Sequence, residues 1–276
     1  MVSPCLKNKG SAVRFCLWPQ IMKIIPLTKN LYEQYIDSQL FDEMDKYSKK
    51  FTKKKNSFIY NISWIQNSFL HFSRKAEYQF VFNEIDNNKK ILDAGCGITF
   101  FPFFLKEKIS NIDLDLLDFS KSTQKFYKKK EFKFISSDLN NLDINNEYYD
   151  IVYSISTLEH IQTYNQVVKE LSRVLKPNGK LIITFDVSFS KYDFINISNV
   201  DDFINSILFN LNIVNKKYNL NIDNLLTSHD FHKNELPWKY PKLFYLLYYF
   251  FFNKKRITVW PPKIGVIMIS LTKNNG

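Results

Sequence analysis

Lys89-Lys90-Ile91-Leu92-Asp93-Ala94-Gly95-Cys96-Gly97 carries two charges, an apolar run, an acid, and then two glycines two residues apart. The chain of 276 residues has only six glycines, against a usual share of roughly 7%. A chain this poor in glycine keeps the residue where a side chain cannot fit. Ile98-Thr99-Phe100-Phe101-Pro102-Phe103-Phe104-Leu105 follows, an apolar stretch able to open a helix. Strand, glycine turn and helix N-terminus together form an element that cradles a nucleotide. The turn lets backbone approach a ligand, and the helix end offers unpaired N–H groups. The dinucleotide fingerprint requires a third glycine three residues after the second, and that position is the bulky Phe100.

Downstream, Ile112–Phe119 reads as a second strand ending on Asp118, 25 residues after Asp93. Folds of this kind place an acid on ribose hydroxyls roughly 20 residues on, and a carboxylate can accept from two adjacent hydroxyls. Phe132-Lys133-Phe134-Ile135-Ser136-Ser137-Asp138 alternates and ends on another acid. Tyr149–Ser154 is a fourth strand, followed by Thr157-Leu158-Glu159-His160-Ile161. A helical stretch then runs to Leu175-Lys176-Pro177-Asn178-Gly179, and Leu181–Asp186 is a fifth strand. Gly179 reads as a turn residue with no ligand.

This series resembles the class I S-adenosylmethionine-dependent methyltransferases, more narrowly the methyltransferase type 11-like domain. Asp93, Gly95 and Gly97 match the family's first motif, with Thr99 in place of its third glycine. The resemblance implies a Rossmann-like, doubly wound α/β sheet of seven strands whose last strand is antiparallel. It also implies S-adenosyl-L-methionine as cofactor, held by Asp93, Gly95, Cys96, Gly97, Asp118, Phe119, Asp138, Leu139 and Ser154. Asp118 would take the ribose and Asp138 the adenine amino group.

Methyl transfer to oxygen benefits from a general base. His160, past the fourth strand, and Asp186, at the end of the fifth, both fall at the carboxyl edge of the sheet where ligands bind. They are the catalytic candidates, with Glu159 placed to orient His160 or to touch substrate. Phe72-Ser73-Arg74-Lys75-Ala76-Glu77-Tyr78 is similar to a stretch found in some bacterial members. There Arg74, Glu77 and Tyr78 would line the cofactor pocket from outside; a salt bridge on a helix surface is the competing and favoured reading.

Residues 86–218 and 264–273 are expected to form the cofactor-binding domain, and 22–85 a helical extension. Asn212–Tyr218 is expected as the sixth strand and Ile264–Thr272 as the last. Residues 1–21 read as a non-native or disordered leader, with Met22 the expected natural start. Between the last two strands, 219–263 form an insert or lid carrying Leu243–Phe252 beside Lys254-Lys255-Arg256. Ten apolar residues are too few to span a bilayer, which takes about 20; the run is expected to be buried over the site, with peripheral membrane contact through 243–256 as the other reading.

Net charge is +11 and the pI about 9.3, which raises an RNA methyltransferase as an alternative. Against it, the charge is spread along the chain, and 154–157 read Ser-Ile-Ser-Thr where base-methylating enzymes carry an Asn/Asp-Pro-Pro-aromatic motif. The bias toward Lys, Asn, Ile and Phe accounts for much of the charge. Three cysteines, at 5, 16 and 96, make no disulfide framework, consistent with a cytoplasmic chain. Four scattered histidines point away from a metal site. The expectation is a methyltransferase for a small-molecule, glycan or lipid-like acceptor, at oxygen, without nucleic acid as partner. A methyltransferase fold that binds without turnover is the remaining alternative.

Overall fold

The computed structural model describes residues 22–53, 69, 71–128, 130–189, 197, 199–213, 218, 220, 224–231 and 263–274. The expected leader 1–21, the last two residues of the basic run 49–55, and the apolar run 243–252 with its basic flank lie outside them.

In chain order the elements are β1 (Met22–Pro26), α1 (Lys29–Ile36), α2 (Gln39–Lys53), α3 (Phe72–Glu84), β2 (Lys90–Ala94), α4 (Phe101–Lys108), β3 (Asp113–Asp118), α5 (Lys121–Tyr127), β4 (Lys133–Ser136), β5 (Tyr149–Ile155), α6 (Tyr164–Val174), β6 (Leu175–Ser188), α7 (Val200–Asn210) and β7 (Ile264–Thr272). The strands form one seven-stranded sheet in the order β1-β7-β6-β5-β2-β3-β4. Strands β4, β3, β2, β5 and β6 run parallel, while β7 is antiparallel to both β6 and β1. The doubly wound sheet with an antiparallel last strand is therefore present.

Period-two alternation sorts the strands onto two faces. Ile91, Leu116, Ile182 and Met268 join the core under α1 to α5, whereas their neighbours Leu92, Leu117, Ile183 and Ile267 join the core under α6 and α7. The first core is aromatic. Phe100, where the dinucleotide fingerprint would have its third glycine, is only 2% exposed; it packs edge-on against Tyr78 of α3 at 5.4 Å and Phe69 at 5.5 Å. Burying a ring of this size is a large apolar gain, so the bulk at Phe100 serves to seat the N-terminal helices on α4.

The seventh strand differs from expectation. Asn212 lies in a turn with φ +57° and Ile213 is not strand; of the expected strand 212–218, residues 214–217 lie outside those described. The sheet edge is filled instead by Met22–Pro26, paired with Leu271–Ile267. Among the described residues of 22–85 the helices thus begin at Lys29, after this strand. Glu84, at the end of α3, is buried and pins this edge: it pairs with Lys23 of β1 and accepts from Ser270 Oγ of β7 at 2.8 Å. Part of the expected insert is also seated on the sheet. Leu226 N donates to Leu27 O at 2.7 Å, Thr227 bridges Gly265, and Phe231 stacks on Phe72 at 4.5 Å.

Among the described residues no helix is long and apolar enough to cross a membrane.

Candidate functional site

Strand order reverses at β2, which lies between β3 and β5. In open α/β sheets the crevice beyond the carboxyl ends of such strands takes the ligand. A cavity of about 360 Å³ opens there, lined by Arg74, Tyr78, Asp93, Gly95–Thr99, Phe101, Ser120, Ser122, Thr123 and Ile155–Thr157.

The turn after β2 is built on two left-handed residues, Gly95 at φ +83° and Gly97 at φ +51°. A β-carbon on Gly95 would lie 2.5 Å from Thr157 Cγ2, whereas one on Gly97 would meet nothing within 4 Å. Gly95 is therefore required by packing and Gly97 leaves room for a ligand. Asp118 fastens the turn: its Oδ2 accepts from Gly97 N at 3.0 Å and its Oδ1 from Ser120 N at 2.7 Å. Each oxygen keeps a lone pair for a ligand hydroxyl. The N-terminus of α4 has Phe100 at its cap position with no side-chain hydrogen bond.

Asp93 is buried beneath the turn and accepts from Tyr153 OH at 2.8 Å. Burial, with Asp118 nearby, pushes its carboxyl up to about 8, and burial likewise pushes the Cys96 thiol up. An acid whose folded value stands above its unfolded one, near 3.9, holds a proton in the folded state that the unfolded chain has lost. Stability then falls as pH climbs from about 4 to about 8 and levels off beyond. Asp93→Asn keeps the acceptor for Tyr153 without the charge. It is expected to flatten that decline and raise stability at pH 8 by on the order of 2 kcal/mol, measured by urea unfolding at pH 5 and pH 8.

The expected cofactor residues divide. Asp93, Gly95, Cys96 and Gly97 line the cavity, and Asp118 holds its turn. Phe119, beside them, is 81% exposed. Ser154 is not brought to the cavity: it is fully buried and its Oγ donates to Ala94 O at 2.8 Å, tying β5 to β2. Leu139 packs in the core under α6 and α7, since the chain after β4 turns down onto that face. Asp138 is exposed and closes a turn, accepting from Asn140 N at 2.9 Å.

Arg74 and Tyr78 do line the cavity, and the surface salt bridge is overturned by burial. Glu77 is fully buried, and Arg74 donates to both Glu77 and Ser156. Glu77 Oε1 also accepts from Ser156 Oγ and Thr184 Oγ1, both at 2.7 Å. Burial works against the Arg74 charge, yet the adjacent Glu77 carboxylate holds its pKa above the ordinary range. Ser156 has φ +42°, a conformation costly for a residue with a β-carbon and typical of sites the surroundings over-determine. Sequence gave no sign of Ser156; the helical spacing that sets Arg74, Glu77 and Tyr78 on one face was the available signal for the rest.

His160 and Asp186 lie one strand further along the same edge and are not among the cavity-lining residues. The His160 side chain is half exposed, with Nε2 4.0 Å from Glu159 Oε1. Glu159 is fully buried, and burial pushes its carboxyl up to about 8. Burial, with Glu159 and Glu77 beside it, raises Asp186 well above the carboxylate range. Among the described residues no group of His, Cys, Asp and Glu has the arrangement of a metal site.

Residues 92–183 match the family model described as "Methyltransferase domain". The chain is 27% identical over 116 residues to a sterol 4-C-methyltransferase of Caenorhabditis elegans, covering 40% of this chain and 35% of that one. It is 30% identical over 156 residues to a malonyl-(acyl-carrier protein) O-methyltransferase of Buchnera aphidicola, covering 53% and 61%. The chain thus spans about a third to three fifths of these relatives. Among solved structures, the cyclase SpnF superposes with a TM-score of 0.51 at 13% identity, covering 92% of this chain and 99% of that one; this likeness is one of fold.

Proposed function

We propose that this chain, a class I S-adenosylmethionine-dependent methyltransferase, transfers a methyl group to a hydroxyl oxygen of a small organic or lipid-like acceptor. A fold alone does not fix an activity. What carries the reading is the open approach at Gly97, directly against the Asp118 carboxylate, in a cavity at the switch point of the sheet.

The residues present fit the cofactor. Asp118 has acceptor capacity left for ribose hydroxyls, and the Gly95–Gly97 backbone leaves space for close approach. Arg74 and the uncapped start of α4 offer donors to an amino-acid carboxylate. When bound, S-adenosyl-L-methionine supplies an electrophilic methyl group. The chain's own task is then to hold acceptor and methyl in line, keep water out and take one proton. Tyr78, stacked on Phe101 at 4.6 Å, gives the cavity a rigid apolar wall. Asp186 and His160 are the proton acceptors in this reading; a carboxyl with a raised pKa is a more effective base near neutrality. The relatives named for sterol and acyl-carrier-protein acceptors support a non-nucleic-acid acceptor.

Calorimetric titration of S-adenosylhomocysteine tests the reading. Wild type is expected to bind in the micromolar range, near −8 kcal/mol, and Asp118→Ala at least about tenfold more weakly. A folded wild-type protein that shows no binding would sink the proposal.

A further inference from the structure

The structure gathers three carboxyl groups, Glu77, Glu159 and Asp186, within electrostatic reach of one guanidinium, that of Arg74. Arg74 Nη1 donates to Glu77 and Ser156, and Glu77 is further satisfied by Thr184. Glu159 and Asp186 are left without a hydrogen-bonded cation among the described residues. They are neighbours: Asp186 N donates to Glu159 Oε1 at 3.3 Å. Yet Glu159 Oε2 and Asp186 Oδ1 are both buried with no hydrogen-bond partner. Buried acceptors without partners are costly, and two ionised carboxylates on neighbouring residues repel. One proton held by the pair removes that repulsion.

We propose that Glu159 and Asp186 share a single proton, and that the pair takes the acceptor's hydroxyl proton during methyl transfer and passes it to solvent through His160. The inference rests on the methyltransferase reading for its second half only. With S-adenosyl-L-methionine bound, the acceptor oxygen would bond to the methyl carbon as the carbon–sulfur bond breaks, its electron pair leaving on the thioether sulfur; the acceptor's O–H bond breaks and the proton joins the carboxylate of the pair. The pair, then doubly protonated, returns to one proton by release to the His160 imidazole, whose Nε2 lies 4.0 Å from Glu159 Oε1 and whose side chain is 55% exposed. Glu159 is a positioning residue in this scheme, linking the buried acid to the exposed imidazole. The charged groups facing the pair are Arg74 and Glu77 from α3 and His160 from the turn after β5. The burial that raises both carboxyls acts in the same direction.

Infrared titration of the cofactor-free protein with ¹³C-labelled carboxyl groups tests the pair without any acceptor. In the Asp93→Asn background, which removes the other acid held protonated near neutrality, the protein is expected to keep a protonated-carboxyl band through neutral pH. In Glu159→Gln or Asp186→Asn the remaining acid loses its like-charged neighbour and ionises at least about one pH unit lower. The His160 ring resonance, assigned with His160→Gln, should follow the pair's ionisation in wild type and lose that inflection in Glu159→Gln. Full ionisation of both wild-type carboxyls below pH 6 would overturn the proposal, whether or not the variants fold. A His160 titration indifferent to Glu159→Gln would overturn the relay. An intact band with no S-adenosylhomocysteine binding would count against methyl transfer alone and leave the shared proton standing.

Discussion

Gly95→Ala is expected to cost on the order of 3 kcal/mol of stability and to abolish cofactor binding. Two terms add. The left-handed φ of +83° costs an L-residue roughly 1–2 kcal/mol. The new methyl would also sit 2.5 Å from Thr157 Cγ2 and 2.7 Å from Thr157 Oγ1, and overpacking of this kind typically costs 1–3 kcal/mol. Thr157 cannot swing aside cheaply: it is β-branched, and its hydroxyl donates to Ile155 O at 3.1 Å. Against a usual domain stability of about 5–15 kcal/mol the loss is large. Adding Thr157→Ala should recover the packing share and leave the backbone share. Gly97→Ala separates the two roles of the turn. Its strain is of similar kind, but its methyl would meet no protein atom, so stability should fall by only about 1 kcal/mol while S-adenosylhomocysteine affinity drops at least tenfold. Urea unfolding and calorimetry on the three variants check this; equal affinities for Gly97→Ala and wild type would place the ligand elsewhere.

Arg74→Met is expected to destabilise by about 3–5 kcal/mol, the usual penalty for leaving one half of a buried ion pair. Glu77 has no accessible surface, and its remaining hydrogen bonds come from two neutral hydroxyls. The double variant Arg74→Met/Glu77→Gln removes charge and countercharge together, and such replacements are often close to neutral. It should recover most of the stability. Affinity for S-adenosylhomocysteine should remain reduced by about 10–100-fold, because the guanidinium facing the cavity is gone in both. Unfolding and binding measured on single and double variants separate the scaffold from the ligand. A double variant that binds as wild type would assign Arg74 to the scaffold alone.

Much of this arrangement was readable because it is local. The strand from Lys90, the acid, the paired glycines and the following helix are contiguous, and β3 to β6 follow in the order of their motifs. What could not be read depends on contacts between remote residues. Met22–Pro26 is five residues long, and its strand character comes from β7, at the other end of the sequence. Ser154, at the end of a strand, was expected at the ligand from the family resemblance, but its hydroxyl is taken up by Ala94 O; Ile155 and Ser156, next along the chain, line the cavity. The inward direction of Arg74 ran against the favoured surface salt bridge because a helix shows which residues share a face, not what the face covers. Burial decided it. Leu139 and Asp138 fell to the same limit, since a loop's side chains follow its path and no local pattern encodes that path.

The edge strand has a consequence for how the protein is made. Met22 pairs with Leu271, so β1 leaves the ribosome well before β7 and then waits for that partner to be made. At roughly 5–20 residues per second the delay is about 10–50 s. During that time the apolar residues of Met22-Lys23-Ile24-Ile25 have no strand to join. The parallel strands β2 to β6 can assemble meanwhile, because all five precede β7 in the order of synthesis. Completion of the sheet is a single late event in which β7 enters between β6 and β1. Shortening that wait, by a circular permutation that joins the two ends and opens the chain at an exposed turn, should speed the final step and reduce aggregation of the nascent chain.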